Sequence, residues 1–122
     1  MTDTNYSHGH HAEQKACEYL LSSEFSVVEM NWKTVWSEID IIAKKDKHIY
    51  FVEVKYRHNN YHGTGLEYIT PTKLRQMTRA AEGWVQSHNW NDDYQLAAIE
   101  VSRVDYEITE FINEAIENVI WF

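Results

Sequence analysis

The chain has few of the residues that mark several classes of protein. Cys17 is the one cysteine among 122 residues, so an intramolecular disulfide is excluded. One proline and four glycines leave no linker or low-complexity tract, and the length suits one domain, residues 1–122. No apolar run approaches the length of a signal peptide or a membrane span. We therefore expect a cytoplasmic protein with no membrane partner.

Positive charge is scarce overall but is concentrated in one part of the chain. The formal net charge of -8 disfavours nucleic-acid binding, because phosphate contacts need Lys and Arg. Residues 33–79, however, carry nine of the eleven Lys and Arg residues and five acids. Acids in residues 80–122 make the total negative. A local positive field around an acidic site therefore remains compatible with the composition.

Apolar spacing predicts an α/β chain with two main helices. The first helix is predicted over residues 9–23, and the second opens at Thr70 and Pro71 and ends near His88. Strands are predicted at residues 25–32, 36–44, 49–56, 94–101 and 104–108, with a short last helix over residues 109–122. The order of helix, three strands, helix and two strands predicts a mixed central sheet flanked by helices.

The second and third predicted strands place ionisable side chains inside apolar runs. A four-residue hairpin loop over residues 45–48 would put Asp40 opposite Glu53, and Glu38 opposite Lys55. Opposed carboxylates destabilise a sheet, so a shared proton, a neighbouring cation or a bound metal must offset their repulsion. Oxygen ligands suit hard divalent cations, and Mg²⁺ typically takes one or two carboxylates.

The spacing of these residues is that of a known nuclease motif. Asp40, followed after twelve intervening residues by Glu53-Val54-Lys55, is the arrangement of the PD-(D/E)xK nucleases. Phosphodiester cleavage needs a nucleophilic hydroxide and neutralisation of the charge that builds on phosphoryl oxygens, and a metal supplies both. Lys55 could orient or deprotonate the water, or stabilise that charge. Glu13, on the inward stripe of the first helix, is either part of this site or a favourable helix-dipole charge.

Longer pieces of the chain resemble the YraN-like family of small bacterial proteins with a restriction-endonuclease-like fold. The matching pieces are Gly9-His-His-Ala-Glu-Gln-Lys-Ala, Asn31-Trp32-Lys33, Glu38-Ile-Asp-Ile-Ile, Phe51-Val-Glu-Val-Lys-Tyr-Arg and Lys73-Leu-Arg. The resemblance implies that Asp40 and Glu53 bind Mg²⁺ or Mn²⁺ and that Lys55 is the catalytic lysine. It also implies Glu13 as an accessory acid that reaches a metal-bound water, with Glu38 as a neighbouring carboxylate.

The chain also departs from the family pattern. Glycine is usual where this chain has Ala12 and Ser37, and Arg-Phe-Asp is usual at Gln95-Leu96-Ala97. The leading hypothesis is a metal-dependent DNA endonuclease or DNA-processing nuclease. The alternative is a catalytically inactive module on the same fold that binds nucleic acid or a protein partner. A third interpretation makes the charged residues a salt-bridged surface, which explains the opposed carboxylates poorly.

Two further surfaces are candidate interaction sites. Lys73 and Arg75 in the first turns of the second helix, and Arg57 after the third strand, are candidate phosphate contacts; the alternative is a solvated face or loop. The apolar end of the chain, residues 120–122, either docks on the core or covers a partner surface, as in a homodimer.

Overall fold

The computed structural model describes residues 4–57 and 69–113 as two helices and a five-stranded sheet. The elements are α1 (Thr4–Ser22), β1 (Ser26–Lys33), β2 (Glu38–Lys45), β3 (His48–Arg57), α2 (Pro71–Ser87), β4 (Asp93–Ser102) and β5 (Ile108–Ile112). Strand order follows chain order; β3 and β4 are parallel, and the other neighbouring strands are antiparallel. The predicted mixed α/β architecture is confirmed and is consistent with a restriction-endonuclease-like fold.

Each face of the sheet packs against one helix. Phe51 of β3 lies in a buried cluster with Trp84 of α2, whereas the next residue, Val52, lies in a second buried cluster with Leu20 of α1. Side chains alternate between the two faces of a strand, so both faces of β3 are covered. Because strands that are buried on both faces need apolar side chains throughout, β2 and β4 have nearly continuous apolar runs.

Helix α2 connects the parallel strands β3 and β4, and its start is the predicted one. Thr70 Oγ1 accepts a hydrogen bond from the N–H of Lys73 at 3.1 Å, and Pro71 follows directly in the first turn. Proline costs nothing there, because that N–H would have no partner within the helix. The cap fixes the first turn of α2, and with it the backbone position of Lys73.

The hairpin between β2 and β3 is tighter than predicted. Lys45 pairs with His48, so the loop has two residues and the predicted four-residue loop is wrong. Asp46 takes a left-handed conformation, with φ 56°. A two-residue hairpin needs such a residue to match the twist of its strands, and Asp tolerates this conformation better than most residues do.

The chain after β4 differs from the prediction. Residues 104–108 were predicted as a strand, but the chain turns at residues 103–105 and β5 begins at Ile108. The first residues of the predicted last helix, residues 109–122, are also not helical, because Glu110 and Phe111 pair with β4. Apolar residues at 108, 111 and 112 fit helical spacing, but the β-branched residues Ile108, Thr109 and Ile112 suit an edge strand. Residues 114–122, with the predicted dimer contact, lie outside the described residues.

Within the described parts of the chain, no helix is both long and apolar enough to span a membrane.

Candidate functional site

The predicted carboxylates meet where the pairing of β2 with β3 ends. The register is the predicted one, but the ladder stops at the pair of Ile41 and Val52. One residue further along β2, Asp40 Oδ2 accepts a hydrogen bond from the N–H of Val54 at 2.8 Å. A side chain thus contacts the β3 backbone beyond the end of the ladder. Glu38 pairs with Lys33 of β1 on its other side and lies beyond the end of the β2–β3 ladder, so the ladder does not include its predicted pairing with Lys55.

Asp40 lies at the centre of the site, next to the side chains of both Glu53 and Glu13. Burial raises the pKa of Asp40 to about 9, and the hydrogen bond and negative charge of Glu53 act in the same direction. The hydrogen bond from Val54 opposes these effects without cancelling them. Without a bound cation, Asp40 therefore holds a proton at neutral pH, because burial beside a second carboxylate disfavours its charged form.

Glu53 receives a positive charge from α2. Its side chain is buried, and Lys73 Nζ lies 3.2 Å from its Oε2 atom. This contact has the distance of an ion pair but not the angles of a hydrogen bond, since no donor in residues 4–57 and 69–113 satisfies Oε2. Lys73, predicted as a phosphate contact, therefore lies against a predicted metal ligand with about a third of its side chain exposed (32%). The repulsion expected between Asp40 and Glu53 is thus offset by a shared proton and a neighbouring cation.

A second pair of carboxylates lies on the α1 side of Asp40. Glu13, Glu38 and Asp40 each offer a carboxylate oxygen, and these oxygens lie within 4.8 Å of one another. Burial raises the pKa of Glu13, and the nearby charge of Glu38 raises it further, while a hydrogen bond from Asn31 lowers it. The prediction that Glu13 faces inward is confirmed by its side chain, which is only 18% exposed. Carboxylate oxygens in such a group are the ligands that hard divalent cations prefer.

Asn31 of β1 holds the two outer carboxylates, and sequence reasoning missed it. With its amide nitrogen directed at them, it donates to Glu13 Oε1 at 3.1 Å and to Glu38 Oε1 at 2.9 Å. Its backbone is left-handed, with φ 54°, which asparagine tolerates better than most residues. The available signal was an asparagine inside an otherwise apolar and aromatic strand, where this residue type is depleted.

The side chains of β2 stop alternating regularly between the two faces of the sheet at Asp40, the residue across from Asn31. Ile39 packs in the cluster against α2, whereas Ile41 packs in the cluster against α1. Residues two apart in a regular strand share one face, so β2 changes face at Asp40. This irregularity explains how Asp40 lies close both to Glu13, which belongs to α1, and to Glu53, which contacts α2.

Lys55 follows Glu53 by two residues on β3, and its side chain is half-buried. Its register partner on β4 is Glu100, a buried carboxylate whose Oε1 accepts a hydrogen bond from Thr109 Oγ1 at 2.8 Å. The two residues face the same side of the sheet as Glu53, because they lie in step along parallel neighbouring strands. The catalytic role of Lys55 stays a prediction.

The remaining predicted phosphate contacts are not drawn into the acidic site. Arg75 is exposed, and its Nη2 atom donates to Thr72 Oγ1 within α2 at 3.2 Å. Arg57 is the last residue of β3, and its side chain lies outside the part of the chain that the structure describes. A nucleic-acid role for either residue stays a prediction.

Two departures from the family pattern fall in the core and not in the acidic site. Ala12 of α1 and Ala97 of β4 are both fully buried and belong to the same cluster. Small side chains at both positions suit close packing between helix and sheet. The loss of an acid at Ala97 therefore leaves apolar packing at that point of the sheet.

The chain is similar to a group of bacterial proteins over most of its length. A family model described as "Uncharacterised protein family UPF0102" matches residues 12–106. A UPF0102 protein of Fusobacterium nucleatum is 33% identical over 113 residues, covering 93% of this chain and 90% of that protein. Another, from Campylobacter lari, is 34% identical over 114 residues, covering 93% and 99%. A third, from Cytophaga hutchinsonii, is 37% identical over 78 residues, covering 64% and 69%. The matched span includes every carboxylate of the acidic site, and the chain belongs to the UPF0102 (YraN) family.

Proposed function

We propose that the chain is a divalent-metal-dependent nuclease that hydrolyses phosphodiester bonds in DNA. The observation that supports it best is the convergence of carboxylates from α1, β2 and β3 on Asp40. Four acids close to one another are costly for a fold to maintain, because each like-charge contact destabilises it. A site that binds a cation during function gives a physical reason for the arrangement.

The donor set fits Mg²⁺ or Mn²⁺. Asp40, Glu13 and Glu38, whose oxygens lie within 4.8 Å of one another, would hold the ion, and Glu53 would join them once its contact with Lys73 is broken. When bound, such an ion lowers the pKa of a coordinated water and neutralises charge on the phosphoryl oxygens. The proton that Asp40 holds without a cation must leave before its carboxylate can act as a ligand. Binding should therefore release protons and strengthen as pH rises.

The two lysines near Glu53 have different parts in this proposal. Lys55, on the same face of β3 as Glu53, would orient the attacking water, take its proton or stabilise negative charge on the phosphate. Lys73 holds Glu53 in the protein without a cation, at 3.2 Å. A cation at Glu53 would weaken that pair, leaving the Lys73 ammonium group available to a substrate phosphate.

One observation favours a second candidate function, an inactive nuclease-fold module that binds nucleic acid or a protein. The Lys73 ammonium group already neutralises a predicted metal ligand, Glu53. A site in which a lysine and a proton replace the cation could retain the fold without catalysis. The two candidates differ in whether a divalent ion is bound and whether phosphodiester bonds are cleaved.

The test is a cleavage assay on matched DNA substrates. Purified protein is incubated with Mg²⁺ or Mn²⁺ and with single-stranded, duplex or branched DNA, alongside Asp40→Asn. The exposed Asp92→Asn variant is the control, because it makes the same substitution at a position away from the site. Metal-dependent cleavage that Asp40→Asn abolishes and Asp92→Asn retains supports the nuclease. Absence of cleavage of every substrate, together with absence of saturable metal binding, would support the inactive module.

A further inference from the structure

A second feature lies beside the acidic site, at the turn between β1 and β2. Trp36 in this turn is 48% exposed and Val35 is 91% exposed. Single exposed apolar residues are common and need no explanation by themselves. A large aromatic side chain next to a candidate active site, however, has a surface on which a flat ligand can stack.

The turn is held in one conformation by Thr34. Its Oγ1 atom accepts hydrogen bonds from the N–H groups of Trp36 and Ser37, at 3.0 and 3.1 Å. The Thr34 N–H donates to the carbonyl oxygen of Ser37 at 2.9 Å, which closes the turn. A hydroxyl that bonds nearby backbone groups is a common way to stabilise a turn. The Trp36 backbone is therefore fixed before any ligand arrives.

The Trp36 indole ring is also held by a cation. The guanidinium carbon of Arg79, an exposed residue of α2, lies 4.6 Å from the centroid of the ring. Such a cation–π contact orients the ring and keeps a positive charge at its face. An aromatic ring next to an arginine is the combination that single-stranded nucleic-acid sites use, the ring for the base and the arginine for stacking or phosphate contact.

The ring lies close to the acidic site along the chain. Trp36 precedes Glu38 by two residues, and Glu38 lies in the carboxylate group with Asp40. The exposed Lys33, on the other side of the turn, lies 3.9 Å from Glu38. A nucleic-acid strand that reaches the acidic site from the side of Glu38 would therefore lie next to a turn that presents an indole ring and two cations.

We propose that Trp36, backed by Arg79, is a stacking platform for an unpaired nucleobase of the DNA substrate. Bases inside a duplex are already stacked on both faces, so an indole ring can receive only a base that is unpaired or splayed out. The preferred substrate is therefore single-stranded DNA or a DNA end or fork with an unpaired base. The inference rests on the proposed nuclease function. Stacking of a base on Trp36 does not itself require cleavage, so it can be measured separately.

The test measures binding without cleavage, so that its failure differs from failure of the nuclease proposal. Fluorescence anisotropy of a labelled oligothymidylate is compared with that of a labelled hairpin duplex, once with EDTA and once with Ca²⁺. We expect Trp36→Ala to weaken binding of the oligothymidylate at least about fivefold, because stacking of a base on an aromatic ring typically contributes this much or more. Binding of the duplex should change by less than about twofold.

Two further variants keep the result interpretable. Trp36→Phe keeps a ring and should retain most of the binding, even if Trp36→Ala folds poorly. Val104→Ala removes a residue that is also exposed (74%) but lies in the turn after β4, and it should bind as the unchanged protein does. Equal binding by Trp36→Ala and the unchanged protein, or no binding of single strands in either buffer, overturns the platform. If Trp36→Ala weakened binding of the duplex as much as binding of the oligothymidylate, the platform would be overturned too. An indole that instead anchors a protein partner would also give no loss that is selective for the single strand.

Cleavage is scored separately. If neither Mg²⁺ nor Mn²⁺ supports cleavage while oligothymidylate binding depends on Trp36, the nuclease proposal fails and the stacking platform stands. If cleavage occurs but Trp36→Ala leaves single-strand binding and the ratio of single-strand to duplex cleavage unchanged, the platform fails and the nuclease stands.

Discussion

Asp40 has two unlike sides. On the α2 side, Glu53 is almost fully buried and has a lysine, Lys73, at 3.2 Å. On the α1 side, Glu13 and Glu38 are more exposed and are held by the neutral amide of Asn31. On the α2 side, Asp40 and Glu53 therefore share a proton and the positive charge of Lys73. On the α1 side, Glu13 and Glu38 accept hydrogen bonds, but their negative charge is neutralised less completely. Lys33 lies 3.9 Å from Glu38 and is mostly exposed, so solvent screens that pair.

This difference separates a structural role from a binding role. A buried ion pair that is complete without a ligand contributes to the fold, and breaking it leaves an uncompensated charge. A group of partly exposed carboxylates held by an amide keeps its geometry but gains from an added cation. We therefore expect substitutions on the α2 side to change stability most, and substitutions on the α1 side to change cation affinity most.

The largest expected effect comes from Asp40→Asn, which alters the residue common to both sides. Its amide can still accept from the Val54 N–H and donate to Glu53, so the fold should be retained. Loss of the central carboxylate should reduce metal-dependent cleavage at least about 100-fold. Rates under single-turnover conditions measure the effect. Unchanged cleavage by this variant would remove Asp40 from the proposed site.

Lys73→Met should be the most destabilising change on the α2 side. It leaves Glu53 buried without its cation, and we expect a loss of about 2 kcal/mol in the free energy of unfolding, below the range for fully buried pairs because Lys73 is partly exposed. Urea denaturation in EDTA measures it. The control is Lys15→Met, which breaks an exposed pair with Glu18 at 3.7 Å and should cost less than about 0.5 kcal/mol. Equal losses in the two variants would contradict a structural role for Lys73.

The stability of the protein without a cation should depend on pH through Asp40. Its pKa of about 9 in the folded state lies above the ordinary value of 3.8, so the folded state keeps a proton that the unfolded state has lost. Stability should therefore fall as pH rises between these two values, by up to about 1.4 kcal/mol per pH unit. Urea denaturation at pH 5, 6, 7 and 8 in EDTA measures the slope. The dependence of the free energy of unfolding on pH should be weaker in Asp40→Asn. If the variant keeps the same dependence, other groups cause it.

The smallest expected change in stability is on the α1 side, in Asn31→Gly. Glycine keeps the backbone conformation at φ 54° and removes the hydrogen bonds to Glu13 and Glu38, which we expect to cost about 1 kcal/mol. Affinity for Mn²⁺ should fall about tenfold, as for the loss of a group that positions metal ligands.

Asn89→Gly is the control for the backbone. Asn89 has φ 52° just after α2, where glycine is favoured, so that variant should lose neither stability nor affinity. If Asn31→Gly lowers the free energy of unfolding but leaves the affinity for Mn²⁺ unchanged, Asn31 has only a structural role.

The fold and the hairpin register could be predicted because they follow from local patterns. Apolar alternation fixed which residues of β2 and β3 face each other, since a slip by one residue would reverse their faces. The start of α2 was readable from Thr70 and Pro71. The chain around β5 was not, because Phe111 and Ile112 suit a helix and an edge strand equally, and pairing with β4 decided between them.

The site was predictable only in part, for a physical reason. The motif indicated Asp40 and Glu53, and the helical stripe indicated Glu13. The ion pair of Glu53 with Lys73 could not be read from sequence, because it depends on where the crossover helix α2 lies over the sheet. The role of Asn31 depends on a left-handed backbone in the middle of a strand, which local propensity opposes.

Binding of Mn²⁺ followed by electron paramagnetic resonance at pH 7 and pH 8 is the most direct test that the carboxylates around Asp40 form a divalent-cation site. We predict saturable binding that tightens with pH, is retained in Asp92→Asn and is lost in Asp40→Asn. Equal binding by Asp40→Asn and the unchanged protein, or no saturable binding at either pH, would contradict the proposal.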